Sequence, residues 1–407
     1  MRARITVILM ALALAAIACK PPAHEAPPPA PPAPGGESAP TAPAAASGIT
    51  DTEIRIGTWA PMSGPASAYG IVARSMQAYF DMVNEAGGIH GRKLVLLARD
   101  DGYQPSRTVS AVKEMIEKDG VFAFVGGVGT APGMAVKDTI ETAGKVWVGP
   151  ATGSSAWANP PSKLRFAVYP TYNVEAKTLV TYAAKNLKKT KFAIFYQNDA
   201  FGQEGVETVK ATLAALGLGE AAMVSHELTD TDLSSQALKL KSSGAEAVVL
   251  WSTTKFAATF VKECAKIKFA PQFLSTSTVT DPLMFQLAGD SWNGTILADW
   301  MPLPEDASPG VQKYRDQMAK QNPPLTLGNF TMVAFALAEA LVEALRRAGP
   351  DLTTDKLVAA LESLQNWNGD YAQRITFGPN DRQGIDQVFL AQAREGKLAK
   401  LADWQAP

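Results

Sequence analysis

The chain repeats one pattern from residue 53 onward: a short apolar run, a loop of small polar residues, then apolar residues at helical spacing. Glu53 to Ala60 is strand-like, with Ile54 and Ile56 on one face. Val72, Met76, Phe80 and Val83 then recur near helical spacing, and Gly87-Gly88 predicts the stop. Lys93 to Ala98 reads as a second strand, and Val109, Val112 and Ile116 mark a helix ending at Gly120. Val121 to Val125 is a short apolar strand that opens onto Gly126-Gly127-Val128-Gly129-Thr130. Another helix leads to Lys145 to Val148 and then Gly149-Pro150-Ala151-Thr152-Gly153. Such alternation requires parallel strands with helices on both faces, because each parallel connection is a helical crossover.

The pattern resumes after about residue 170. Phe192 to Tyr196 is a strand followed by Asn198-Asp199-Ala200-Phe201-Gly202 and a helix. Ala245 to Trp251 precedes Ser252-Thr253-Thr254-Lys255, and Gln272 to Leu274 precedes Ser275-Thr276-Ser277-Thr278. No close residue-level repeat joins the halves, so the expectation is an α/β protein of two similar lobes. In open α/β sheets ligands sit beyond the carboxyl ends of the strands. Two facing lobes would line a hinged cleft with these loops.

The totals narrow the function. Apolar residues make up 46% and charged residues 19%, values of a globular chain. A net charge of −1 with no basic block argues against nucleic acid. The apolar stretch Phe330 to Leu345 carries Glu339 and Glu343, so it reads as a largely buried helix and not a membrane span.

The N-terminus reads as a targeting segment. Met1-Arg2-Ala3-Arg4 is positive, and Ile5 to Ile17 is apolar apart from Thr6. That run is too short to span a bilayer and fits a secretory signal, residues 1–18. Ala16-Ile17-Ala18-Cys19 resembles a bacterial lipobox, with Ala16 where Leu is usual, so Cys19 is the expected lipidation site. Residues 19–50 are Pro-, Ala-, Gly- and Ser-rich and cannot bury enough surface to offset their ordering entropy, so they read as a disordered tether. With Cys19 lipidated, Cys264 is the only thiol left and no intramolecular disulfide can form. Its helical, apolar neighbourhood predicts buried packing.

Several chemistries can be weighed against the loops. The Gly126 to Thr130 loop offers close backbone approach and free N–H groups at a helix start, which suits a carboxylate or other anionic end; Thr130 also reads as a helix N-cap. The dinucleotide fingerprint fails, because Pro132 stands where G-x-G-x-x-G needs a small residue. Ser252 and Lys255 match S-x-x-K, the pattern of a serine nucleophile, without its supporting motifs, so a polar cleft loop is preferred. His90 and His226 have no metal-ligand spacing and read as surface residues, and Asp100-Asp101 reads as a turn or cap. No metal and no cofactor is expected.

A family resemblance rests on residues in order along the chain. Ala60-Pro61-Met62-Ser63-Gly64-Pro65, Ala68-Tyr69-Gly70, Asn84 to Leu94, Asp100-Asp101, Gly129-Thr130, Pro150 to Gly153 and Tyr196 to Gly202 resemble the periplasmic Leu/Ile/Val-binding proteins. These are type I solute-binding proteins of ABC importers. The resemblance implies two Rossmann-like lobes joined by a hinge of three crossovers, with lobe one at 51–170 plus 298–375 and lobe two at 171–297 plus 376–407. It implies a monomer that binds a small molecule, docks on ABC importer permease subunits and is held to the membrane by its lipid. It also implies a ligand-binding site: Thr130, next to Gly129, for a carboxylate, the Ala151 carbonyl for an ammonium, Gly153 and Ser154 beside them, and Tyr69 as an aromatic wall. Phe201 and Thr253 match positions where amino-acid binders often present tyrosines.

One departure leaves the ligand open. The acidic partner of the ammonium in amino-acid binders is matched here by Ser277. A buried ammonium without a carboxylate is unfavourable. Asp281, four residues on, is a candidate substitute; an amide or an uncharged or anionic solute is the alternative ligand. Positions of a disulfide found in some relatives are matched by Tyr103 and Gly129, so that bridge is lacking. Two further readings stay open beside solute delivery to an importer: a ligand sensor docking on a membrane receptor, and an exported hydrolase using Ser252 and Lys255.

Overall fold

The computed structural model describes residues 48–405, so the signal, the Cys19 lipidation site and most of the tether lie outside the described residues. The first half runs β1 (Glu53–Ala60), α1 (Ile71–Glu85), β2 (Lys93–Asp100), α2 (Pro105–Glu117), β3 (Ala123–Val125), α3 (Thr130–Thr142), β4 (Val146–Val148) and β5 (Arg165–Phe166). These strands form one parallel sheet in the order β2-β1-β3-β4-β5.

The second part runs α4 (Tyr172–Lys185), β6 (Phe192–Gln197), α5 (Ala200–Ala215), β7 (Glu220–His226), α6 (Ser234–Ser242), β8 (Ala247–Trp251), α7 (Thr254–Lys266), β9 (Gln272–Ser275), α8 (Leu283–Ala288) and β10 (Ile296–Asp299). Three helices follow, α9 (Pro309–Lys320), α10 (Asn329–Ala348) and α11 (Thr354–Glu362), and a terminal hairpin of β11 (Val388–Arg394) and β12 (Lys397–Gln405). The second sheet has the order β12-β11-β10-β9-β8-β6-β7. It is parallel except at one edge, where β10-β11-β12 pair antiparallel. A sheet expected to be all parallel is therefore mixed, because a hairpin needs only a tight turn where a parallel neighbour needs a crossover.

α10 packs against α1 and strands β3 and β4, so the helices after β10 return to the first sheet. The chain thus passes between the sheets three times: between β5 and α4, between β10 and α9, and between α11 and β11. The second sheet keeps the chain through Asp299, the last residue of β10.

Local chemistry accounts for the elements. In α1 the expected Val72, Met76, Phe80 and Val83 are all buried, and the chain leaves the helix through Gly87 at φ 100°. β8 is buried along its whole length, as a central parallel strand must be. α10 is buried almost all round, so its acidic residue needs partners. Glu339 accepts the backbone N–H groups of Asp370, Tyr371 and Ala372 at 2.6, 2.9 and 3.0 Å. Cys264 is fully buried, and burial pushes its thiol up to about 12.

Candidate functional site

The loops at the carboxyl ends of both sheets converge on one cavity of about 60 Å³. On a measure by which one water needs about 10–15 Å³, that is room for about four to six water-sized groups. The first sheet contributes Tyr69, Tyr103, Val128, Gly129, Thr130 and Ala151. The second contributes Phe201, Thr253, Ser277 and Thr278. The first passage between the sheets adds Tyr169 and Tyr172, and the start of α10 adds Asn329 and Phe330.

At the end formed by α3, Gly129 has φ 105° and a Cβ there would lie 2.7 Å from Cε2 of Tyr103. The Tyr103 ring therefore packs directly against the Gly129 backbone at the start of α3. Thr130 Oγ1 lies 2.6 Å from Thr152 Oγ1, which lies 3.1 Å from the Tyr172 hydroxyl. This chain of hydroxyls beside the first turn of α3 offers donors to a polar or anionic group. The Ala151 carbonyl accepts the Gly129 N–H at 3.4 Å, which leaves its second lone pair.

Gly153 and Ser154, expected beside this end, are not part of the cavity wall. The Gly153 carbonyl accepts the Tyr172 N–H at 2.6 Å, and a Cβ on Gly153 would meet Tyr172 Cδ1 at 2.6 Å. Gly153 thus allows the close approach of the start of α4. Ser154 caps the short 3₁₀ turn at Ser155–Trp157 by accepting the Ala156 N–H at 3.3 Å.

Opposite, Thr253 Oγ1 donates to Gln197 Oε1 at 2.9 Å and Phe201 packs on Tyr172 with ring centroids 5.3 Å apart. Ser277 is 1% exposed. Its Oγ donates to Glu175 Oε1 at 2.5 Å and lies 2.5 Å from the Tyr169 hydroxyl. The Ser277 N–H also donates to Glu175 Oε2 at 3.3 Å. Asn329 Nδ2 donates to both oxygens of Asp299 at 3.2 and 3.1 Å. Both carboxyls are fully buried, and burial pushes Glu175 up to about 8 and Asp299 to about 7.

Asp281, the candidate substitute at the ammonium, is engaged elsewhere. It accepts the Leu283 N–H at 2.9 Å and the Phe330 N–H at 3.1 Å, tying down the starts of α8 and α10, and it does not line the cavity. His226 is a correction too. Read as a surface residue, it is 1% exposed and stacked between Phe195 and Phe256 at 5.0 and 4.4 Å. Its Nε2 lies 2.6 Å from Ser252 Oγ, and burial lowers its pKa to about 4. Ser252 is buried outside the cavity wall and Lys255 is exposed, so the S-x-x-K spacing does not assemble a nucleophile with its base. His90 is exposed as expected. Asp101 accepts the Tyr103 N–H and the Thr108 hydroxyl at 2.9 and 2.8 Å, a turn role.

The cavity is closed by bonds between the two sides. The Tyr69 hydroxyl donates to the Thr278 carbonyl at 3.0 Å and accepts from Thr254 N and Oγ1 at 3.2 and 3.0 Å. Ser155 N and Oγ donate to Glu204 Oε1 at 2.8 and 2.9 Å. Sequence reasoning missed Tyr103, Tyr169, Tyr172, Glu175, Asp299 and Asn329. Glu175 carried a signal: it is an acid in the first turn of a helix whose neighbours Val174 and Ala176 are buried.

Comparison with known proteins agrees with this architecture. The profile of the periplasmic binding protein family matches residues 53–397. A Leu/Ile/Val-binding protein homolog 3 from Brucella melitensis biotype 1 is 28% identical over 318 residues, 77% of this chain and 83% of the relative. A substrate-binding periplasmic protein from Ralstonia solanacearum is 30% identical in sequence. The two structures superpose with a TM-score of 0.78 over 84% of this chain and 97% of that one. At 19% identity, the branched-chain amino acid ABC transporter protein from Thermus thermophilus with bound valine shares the fold, with a TM-score of 0.80 over 88% and 98% of the two chains. A family match over nearly all the described residues, on two sheets whose strand-end loops enclose one cavity, shows that the chain belongs to the periplasmic binding protein family.

Proposed function

We propose that this chain is an extracytoplasmic solute-binding protein that captures a small solute between its lobes and delivers it to the permease of an ABC importer. The observation that carries the reading is the closed cavity whose wall is shared by strand-end loops of both sheets. A wall shared between lobes makes closure and binding one event, which is how a hinged carrier holds its cargo. The names of the relatives support a branched-chain amino acid as cargo, and Ser277 at the place of the acidic ammonium partner keeps a related amide or carboxylate as the alternative. The binding set in this reading is Tyr69, Gly129, Thr130, Ala151, Phe201, Thr253 and Ser277, joined by Tyr103, Tyr169, Tyr172 and Asn329. Lobe one is residues 51–170 with the helices after Asp299, and lobe two is residues 171–299 with the terminal hairpin. The signal-like N-terminus and Cys19 support a lipid anchor.

The test is ligand-dependent thermal stability across leucine, isoleucine, valine, polar amino acids, short amides, urea and aromatic carboxylates. A ligand at 100 times its Kd adds about 2.7 kcal/mol, enough to raise the melting temperature visibly. A selective rise with one class supports the reading. No rise with any member of the panel, together with no change in scattering radius, would sink it.

A further inference from the structure

The buried arginines of this molecule are paired away from the cavity. Arg165 and Arg382, 3% and 2% exposed, form ion pairs with Glu141 and Glu362. Beside the cavity, the fully buried carboxyls of Glu175 and Asp299 have no ion-pair partner among the described residues. Each lies behind a neutral polar side chain of the cavity wall, Glu175 behind Ser277 and Asp299 behind Asn329.

A charged carboxylate is an acceptor only, so it dictates how its neighbour points its hydrogen. When Glu175 is ionised, Ser277 gives its hydroxyl hydrogen to it and can then only accept, from the Tyr169 hydroxyl and from a solute. Asn329 gives its amide hydrogens to Asp299, which leaves Oδ1 with no hydrogen-bond partner among the described residues on a side chain only 7% exposed. We propose that Glu175 and Asp299, acting through Ser277 and Asn329, make this end of the cavity an acceptor surface that selects a solute with a cationic or N–H-rich end. The proposal rests on the solute-binding reading and narrows its cargo. With hydroxyl donors at the Thr130 end, the cavity then suits a dipolar solute such as a small amino acid, or a short amide.

The acids act as positioning residues, since neither lines the cavity. The groups that face Glu175 are Tyr172 on its own helix, Tyr169 before it, Ser277 on the turn after β9 and Asp299 on β10; of these only Asp299 can become charged in the working range, and it then opposes the ionisation of Glu175. With burial holding Glu175 at about 8, the ligand-free protein mostly carries its proton at pH 7, and the ionised, acceptor-only state belongs to the complex. A solute cation beside Ser277 favours the carboxylate, so its binding releases a proton.

The experiment is titration calorimetry of the full-length protein at pH 7 in two buffers of different ionisation enthalpy. The probes are L-valine, isobutyramide and 3-methyl-2-oxobutanoate, which keeps the valine skeleton with a keto oxygen in place of the ammonium. Valine is expected to bind with release of close to one proton, and the keto acid at least ten-fold more weakly, with none released. Glu175→Gln should weaken valine at least ten-fold, abolish the release and leave the ligand-free melting temperature no lower. Ser277→Ala, which keeps the acid and removes the relay, should weaken valine and isobutyramide alike. Keto-acid binding as tight as valine binding, or an unchanged proton count in Glu175→Gln, would overturn the proposal. Wild-type binding of only solutes that lack N–H donors would overturn it and leave the carrier reading standing; binding of no solute at all would remove both.

Discussion

Removing the hydroxyl of Tyr69 tests how the lobes are held closed. Tyr69→Phe keeps the ring, which packs on Phe330 with centroids 4.5 Å apart, and deletes only the oxygen. That oxygen makes three bonds of 3.0 to 3.2 Å, all to residues on the second-sheet side. Burial pushes its pKa up to about 12, so it is a neutral phenol at every working pH. At a net 0.5–1.5 kcal/mol each, three bonds sum to about 1.5–4.5 kcal/mol. The Thr254 hydroxyl can rotate to another acceptor, so the expected loss is the lower part of that range, about 1.5–3 kcal/mol. An open protein hydrates all these groups, so the loss falls on the closed state alone. The ratio of closed to open then drops by about 10- to 150-fold, and ligand Kd rises by a similar factor where closure is required for binding. Calorimetric Kd and the small-angle scattering radius of the ligand-free protein measure the two quantities. A Kd within two-fold of the parent and an unchanged radius would refute the reasoning, since the bonds would then contribute nothing to closure.

Other outcomes follow from the same geometry. Thr130→Val should weaken binding by about 1–3 kcal/mol, because Thr152 and the ligand both lose a partner; an unchanged Kd would remove Thr130 from the site. Gly129→Ala should lower the melting temperature, by the equivalent of about 1–3 kcal/mol, since φ is 105° and the new Cβ meets the Tyr103 ring; a stability equal to the parent would contradict this. Stability of the ligand-free protein should fall from pH 6.5 to 8.5. Burial raises Glu175 to about 8 and Asp299 and Glu339 to about 7, so the native state holds more protons than the unfolded one in this window and the slope is negative. His226, lowered to about 4, acts with the opposite sign until its unfolded-state imidazole has lost its proton, so it opposes the slope at the lower end of the window and has faded by about pH 7.5. A flat or rising melting temperature over that range, read by calorimetry, would show these acids are not held protonated.

Much of the fold is legible in the sequence, because periodicity reports local burial. The strand at Glu53–Ala60 and the buried helix over Phe330–Leu345 follow from alternation and helical spacing alone. So do the loops after β3, β6, β8 and β9, and each of them reaches the cavity, because a parallel strand must deliver its carboxyl-end loop to the same edge as its neighbours. The terminal hairpin was not legible as an antiparallel edge, since pairing direction leaves no mark on strand composition.

Tertiary structure alone decided how the cavity is furnished. Glu175 and Ser277 are 102 residues apart, and Tyr69 is 185 residues from Thr254, so no spacing in the sequence can announce that they touch. Sequence determined which loops could reach a ligand. Sheet order and the passages between lobes determined that Ser277 is backed by a buried acid and that Asp281 is spent on capping helices. The physical reason is range: backbone preference and amphipathic periodicity act within a few residues, whereas hydrogen bonds and charges act across whatever the fold brings within a few ångströms.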